Sequence, residues 1–455
     1  MHGKRSSKLI SITSAKEMKG TISLPPSSDC FFLSMIISLG SKIPAKISPI
    51  RDMPIISWWE KAFSGHILFK TTDDTVTIEP ISQSSNIVLS YEEIPYRDFS
   101  VFLLLGQKKT IVLDPLPRAR LEEWNRILND MGCTLKTINT ENNKTAIYLD
   151  NTDNFRIKDT VKSIDDVHAI LGIALSLKKK VTIATESMFF SPLRHVLPSF
   201  GYEINVNTNL KNKNEDPLIR RMRFLQTGKK SDGNLIYYIE ADFTNSKASY
   251  SEITLCGDDT LGAIFTAAKT IVHKGSLIIE NVPLESWGMA TLNFFRKMGG
   301  IIATQETHKT TFGSCGIVTL EKFGHFGKKI ECSPVFLYSS QLPAMVVLSC
   351  FASGQSVFRG LSDLRKDEPD GLEQIIFCLK KIGARCGEMP DGIVIDGQKQ
   401  YDGFDLPEPL PANLAASFAV AGLKCMGQTN INDSSILRHW PRFEEILKSS
   451  CIFRE

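Results

Sequence analysis

Cysteine and histidine are the residues whose spacing most readily announces metal or thiol chemistry, and in this 455-residue chain neither does so. The ten cysteines are scattered through apolar segments, as at Cys350, Cys378 and Cys425, with no CxxC pair and no Cys/His cluster at zinc spacing. That pattern reads as reduced core thiols. The eight histidines are equally dispersed. His168 and His195 each stand alone in an apolar helical pattern, where a satisfied structural residue is the commoner reading than a ligand. No metal is expected, and no cofactor.

Charge narrows the remaining chemistry. With 53 basic and 50 acidic residues the net charge is +3, too small a field to imply nucleic acid or a membrane surface. Any anion site must therefore be local, and arginine suits one best, because its planar fork matches phosphate and carboxylate alike. The longest strongly apolar stretches, Cys30 to Leu39 and Leu342 to Ala352, fall well short of the roughly 20 residues needed to span a bilayer. The basic start Met1–Lys8 has no apolar signal region after it before Lys16, so a cytoplasmic protein is expected. A hydrophobic fraction of 42% and a charged fraction of 23% are ordinary globular values. The length suggests two or three domains at roughly 150 residues each.

The elements that must position any site come from an internal repeat. A small-residue apolar helix followed by a β-rich stretch occurs six times: Cys30–Ile50, Asp98–Leu116, Asp166–Ser187, Asp259–Leu284, Gln341–Ser362 and Ala412–Ser435. Apolar residues cover nearly every face of these helices, as in Leu261 to Val272, which marks them as buried. Alternating strands follow, such as Ser276 to Val282. A second, amphipathic helix then stops at a glycine, at Gly132, Gly201, Gly299 and Gly383, the residue that fits a left-handed helix C-cap. Trp58 to Gly65 and Pro441 to Leu447 are weaker versions. Fully apolar helices are buried only if several units pack around them, so the repeat predicts an α/β protein of two domains, each of three βαβαββ-like units. The widest gap between copies, Val206 to Ser249, holds a charged insertion (207–216) and Gly228-Lys-Lys-Ser-Asp-Gly. The domain change is expected near its end, with a ligand cleft between the halves.

Four ordered blocks give this architecture a family likeness. Gly20-Thr-Ile-Ser-Leu-Pro-Pro-Ser-Ser-Asp29 resembles an opening G-x-φ-x-φ-P-G-S-K-S. Cys256-Gly-Asp-Asp-Thr resembles P-G-D-x-S, and Leu364-Arg-Lys-Asp-Glu-Pro-Asp-Gly-Leu resembles φ-R-V-K-E-S-D-R-φ. Arg438-His-Trp-Pro-Arg-Phe443 resembles a closing K-S-F-P-x-F. Together with the six-fold repeat they make the chain similar to the enolpyruvyl transferases, closest to the 5-enolpyruvylshikimate-3-phosphate synthase branch. The resemblance implies two inside-out α/β domains, residues 24–254 and residues 1–23 joined to 255–455. It also implies transfer of enolpyruvyl from phosphoenolpyruvate to shikimate 3-phosphate in aromatic amino acid biosynthesis, by a monomer. Two small anions would be the partners, with neither nucleic acid nor membrane.

Position by position, the resemblance implies anion or substrate contacts at Ser27, Ser28, Asp29, Arg97, Arg120, Arg365 and Arg438, with Glu368 as the catalytic glutamate. The reaction protonates the vinyl carbon, adds a deprotonated substrate hydroxyl beside it and expels phosphate, which requires a positioned acid and base. Here the chain departs from the family. Ser28 stands at the catalytic lysine, Asp29 at the neighbouring serine and Leu33 at an arginine. Ser340 stands at the general-base aspartate, Asp367 and Gly371 at the lysine and arginine of the K-E-S-D-R block, Pro411-Ala-Asn413 at D-H-R, and Ile164-Asp-Asp166 at S-S-Q. Two functional expectations follow: a transferase of weak or altered activity, or a catalytically silent homologue that keeps the cleft for binding or partner contact. The wall-synthesis relative that uses UDP-N-acetylglucosamine fits less well, because Pro115 to Arg120 holds no cysteine. RNA 3′-phosphate cyclases fit less well because the chain has no basic stripe.

Overall fold

The computed structural model describes residues 9–453 except 82–85, 92–93, 108, 115, 140–143, 151–154, 157–159, 162–163, 186–190, 211–234, 286, 323–325, 332–337, 399, 407–409 and 433–434. The basic start, most of the 207–216 insertion and the Gly228 stretch therefore lie outside the described residues.

Six apolar helices form the interior: α1 (Ser28–Ser41), α2 (Arg97–Gly106), α3 (Ile164–Ser176), α4 (Asp259–Val272), α5 (Tyr338–Cys350) and α6 (Ala412–Ala421). Their sequences explain their place. From Cys30 to Gly40 every residue of α1 is buried, and from Thr260 to Val272 every residue of α4. Each fully buried Leu, Ile, Val, Phe or Met contributes about 1.5–3 kcal/mol against an exposed one. Small residues let these helices touch. At Gly172 in α3 a Cβ would collide with the Phe99 carbonyl of α2, so only glycine allows that approach.

Around the helices, five four-stranded sheets among the described residues share one plan, a leading strand parallel to a second with two antiparallel strands beyond it. A sixth sheet has three strands, with Asp405–Leu406 parallel and Leu9–Thr13 antiparallel to Gln428–Asn432, and Ala15–Met18 pairs separately with Cys451–Phe453. The fifth unit shows it in order: Lys329–Glu331, Gln355–Arg359, Gly392–Asp396, Arg385–Met389. The amphipathic helices end where the glycine pattern predicts, with φ of 75° at Gly132, 77° at Gly201, 99° at Gly299 and 78° at Gly383. In the third unit the second helix is only Leu193–Val196 continued by a 3-10 turn, Leu197–Phe200. Pro198 lacks the amide that a longer α-helix would need.

Two leading strands are exchanged along the chain. Gly20–Ser23 pairs with Leu277–Pro283, and Ser251–Thr254 pairs with Ala45–Ser48. Between them the chain crosses twice, and the Ser27 amide donates to the Cys256 carbonyl at 2.9 Å. Buried apolar residues accordingly fall into two clusters. One runs from Cys30 to Cys256 with Trp287, Phe312 and Cys315, and the other combines Ile10–Leu24 with Leu261–Leu447.

Candidate functional site

Helix starts surround one cavity of about 320 Å³. Asp29 of α1, Arg97 and Asp98 of α2, Asp259 of α4, Ser340 of α5 and Asn413 of α6 all line it, and all lie within the first three residues of their helices. These ends carry partial positive charge and favour anions or carboxylates. Further wall comes from Tyr91, from Arg120 at the start of the helix Arg118–Asp130, and from Asp363 and Leu364 of the 3-10 turn Ser362–Lys366 with Asp367 and Pro369 behind it.

The wall's charged groups are bonded to one another. The Tyr91 hydroxyl accepts from Arg97 Nη1 at 2.9 Å and Arg120 Nε at 3.0 Å, and donates to Asp367 Oδ1 at 3.0 Å. That same Oδ1 accepts from Arg97 Nη1 at 3.1 Å and Arg120 Nη2 at 3.4 Å. Arg120 also donates to Asp363 at 3.2 Å and Glu123 at 3.0 Å. The Arg97 guanidinium lies 3.8 Å from the centre of the Tyr91 ring, a cation–π contact. With a side chain only 4% exposed, Arg120 is held by this network and not by solvent. Burial alone would lower its affinity for a proton, but Asp98, Asp363, Tyr91 and Asp367 together raise it, so it stays charged. Burial drives the Tyr91 phenol upward, so it stays protonated and able to donate.

A second group of acids faces the cavity from the chain crossings. Burial, then the Asp258 charge, pushes Asp29 up to about 7. Burial, then Asp258 and Asp29, pushes Asp259 up to about 8, although it accepts a hydrogen bond from Gln341 Nε2 at 2.5 Å. Gln341 is fixed in turn, since its Oε1 accepts from the Thr291 hydroxyl at 2.7 Å. Asp258 is committed to structure: it caps α4 through the Leu261 amide at 2.8 Å and accepts from Trp440 Nε1 at 2.9 Å. At neutral pH this corner of the cavity therefore carries carboxyl protons.

The expected site residues separate into two groups. Arg97, Arg120 and Asp29 line the cavity, whereas Ser27, Ser28, Arg365, Glu368 and Arg438 do not. Ser27 is buried as the α1 cap, accepting from the Cys30 amide at 3.3 Å. Arg365 is taken up by Asp370 at 3.0 Å and Glu388 at 2.6 Å. Glu368 is exposed, while Asp367 and Pro369 on either side of it reach the cavity. Of the lone histidines, His168 is buried 3.3 Å from the Ser191 hydroxyl, and burial pushes it down to about 4, so it is neutral. His195 is half-buried, 3.7 Å from Glu285. Sequence reasoning missed Tyr91, Asp363 and Glu123. A single tyrosine carries no motif, and the i,i+3 pairs Asp363–Lys366 and Arg120–Glu123 were the only local signals.

Helices inside, small parallel-led sheets outside and a polar cavity where the helices begin define the class. The fold is the inside-out α/β fold of the enolpyruvyl transferases, which two solved structures share. The EPSP synthase from Acinetobacter baumannii superposes with a TM-score of 0.67 over 98% of this chain and 99% of its own, at 17% identity. The enolpyruvyl transferase NikO from Streptomyces tendae gives 0.65 over 97% of each, at 14% identity.

By sequence the chain resembles the EPSP synthase (3-phosphoshikimate 1-carboxyvinyltransferase) family, whose profile matches residues 239–447. The 3-phosphoshikimate 1-carboxyvinyltransferase of Novosphingobium aromaticivorans is 28% identical over 208 residues, 44% of this chain and 47% of that protein. That of Sphingopyxis alaskensis is 30% identical over 201 residues, 43% and 45%. The aligned stretch thus spans about half the length of these curated relatives. No helix among the described residues is long and apolar enough to cross a membrane.

Proposed function

We propose that this chain is a small-molecule-binding protein of the enolpyruvyl transferase type, in which transfer from phosphoenolpyruvate to shikimate 3-phosphate is very weak or absent. The charge of the cavity lining carries this reading: Asp29, Asp98, Asp259, Asp363 and Asp367 stand against Arg97 and Arg120, with no lysine among the described lining residues. Phosphoenolpyruvate brings a phosphate and a carboxylate, and shikimate 3-phosphate brings one more of each. Asp363 and Asp367 already neutralise the two guanidiniums. Asp29 and Asp259, holding protons near neutrality, supply no cation, so the described lining offers these four groups no surplus positive charge. A misplaced carboxylate costs roughly 1 kcal/mol or more per anion contact at an effective dielectric of 20–80. Losing a positioned acid or base typically costs about 10²–10⁴-fold in rate, and such losses within one site do not simply multiply.

One observation favours a second reading, transfer by altered chemistry. Asp29 and Asp259 hold protons near neutrality beside the cavity, so a carboxylic acid could donate the proton that the family's lysine position, here Ser28, cannot. The exchanged strands support a division of the chain into 24–254 and 1–23 with 255–455, the cavity lying between the two units. The test is phosphate release from phosphoenolpyruvate with shikimate 3-phosphate. Rates at background are expected, and turnover in the usual range of about 1–10³ s⁻¹ would overturn the proposal.

A further inference from the structure

We infer that Asp367 is a built-in occupant of the Arg97–Arg120 clamp, and that an external phosphate or carboxylate enters the clamp only by displacing it. The inference rests on reading the cavity as a small-molecule site and adds the residue that decides which charge it admits.

Three donors converge on the single oxygen Asp367 Oδ1: the Tyr91 hydroxyl at 3.0 Å, Arg97 Nη1 at 3.1 Å and Arg120 Nη2 at 3.4 Å. Two guanidiniums and a phenol around one oxygen form the kind of receptor an external anion would need, and charge-assisted contacts of this sort are the strong ones. All three donors come from residues 91–120, and the acceptor lies far along the chain, 270 residues beyond Arg97. An intramolecular carboxylate of this kind competes at an effective concentration of roughly millimolar or more. A free ligand must exceed that before it binds.

The local structure lets the carboxylate leave. Asp367 follows the short 3-10 turn Ser362–Lys366 and precedes Glu368 and Pro369, both exposed, and its own side chain is 26% exposed. Arg120, at 4%, cannot follow it outward. Displacing Asp367 would therefore leave a positively charged, preformed clamp. Asp363 still neutralises part of Arg120 at 3.2 Å, so the vacated clamp is centred on Arg97 and the Tyr91 hydroxyl.

Calorimetric titration with inorganic phosphate, and separately with phosphoenolpyruvate, tests this without any turnover. Asp367→Ala should bind phosphate at least about tenfold more tightly than the parent. Asp367→Asn, which keeps the shape and one acceptor, should fall between them and serves if the alanine variant folds poorly. Asp367→Ala combined with Arg97→Gln should lose the gain. Equal affinity in parent and both Asp367 variants would overturn the inference, as would a gain that survives Arg97→Gln. Because the readout is binding alone, its failure is distinct from failure of the weak-turnover proposal, which only phosphate release by the parent can contradict.

Discussion

Asp29 and Asp259 link the protonation of the cavity to the stability of the fold. The folded chain raises Asp259 from 3.8 to about 8, so between these values it keeps a proton that the unfolded chain has released. Stability from this group is therefore fully present below about pH 4 and falls as pH rises, the loss being complete above about pH 8. Asp259→Asn removes the titration while preserving an acceptor for Gln341. The variant should match the parent near pH 4 and exceed it at pH 8 by on the order of 1 kcal/mol or more, read as the difference between their thermal or urea unfolding curves. A variant with no advantage at pH 8 would show that the carboxyl is not held protonated. Neither this proton nor the Tyr91 hub was legible in the sequence, because both depend on which residues the two halves bring face to face. Arg97 and Arg120 were legible only through the family resemblance, whereas Arg365 and Arg438, which stand in its quoted blocks, do not line the cavity. Glu368 illustrates the limit of a block match: the motif places the residue on the right turn but does not determine which of Asp367, Glu368 and Pro369 points inward.

The helices and their stops were the most legible elements, because their cause is local. All-round apolar composition forces burial, and glycine at a left-handed C-cap is a property of a few residues in a row. The third unit's shortened second helix was less apparent, although Pro198 was in view. Helix contact can be tested at Gly172. Alanine there would gain about 1 kcal/mol in helix propensity, yet its Cβ would meet the fixed Phe99 carbonyl, and such overpacking typically costs about 1–3 kcal/mol. Because a backbone oxygen cannot yield as a side chain can, the clash should win. Gly172→Ala is expected to lower the urea midpoint with little change in the slope, whereas an unchanged or raised midpoint would mean that α2 and α3 separate easily.

At the scale of the molecule, six-fold repetition made the architecture readable from sequence, because each copy repeats the same constraint on burial. The strand exchange at Gly20–Ser23 and Ser251–Thr254 was not readable as pairing, since parallel partners far apart in sequence leave no local periodicity. The chemical character of the cleft is likewise a property of the whole: α1, α2, α4, α5 and α6 supply an anion-favouring ring of helix starts, and the charged side chains set into it are mostly acidic. If those side chains are what stops transfer in a cleft still shaped for the family's substrates, restoring the family's residues should restore transfer. Phosphate release measured side by side for the parent and for Ser28→Lys with Ser340→Asp tests this most directly. Background rates are expected in the parent and a measurable rise in the double variant. Robust release by the unmodified protein, or no rise in the double variant, would contradict it.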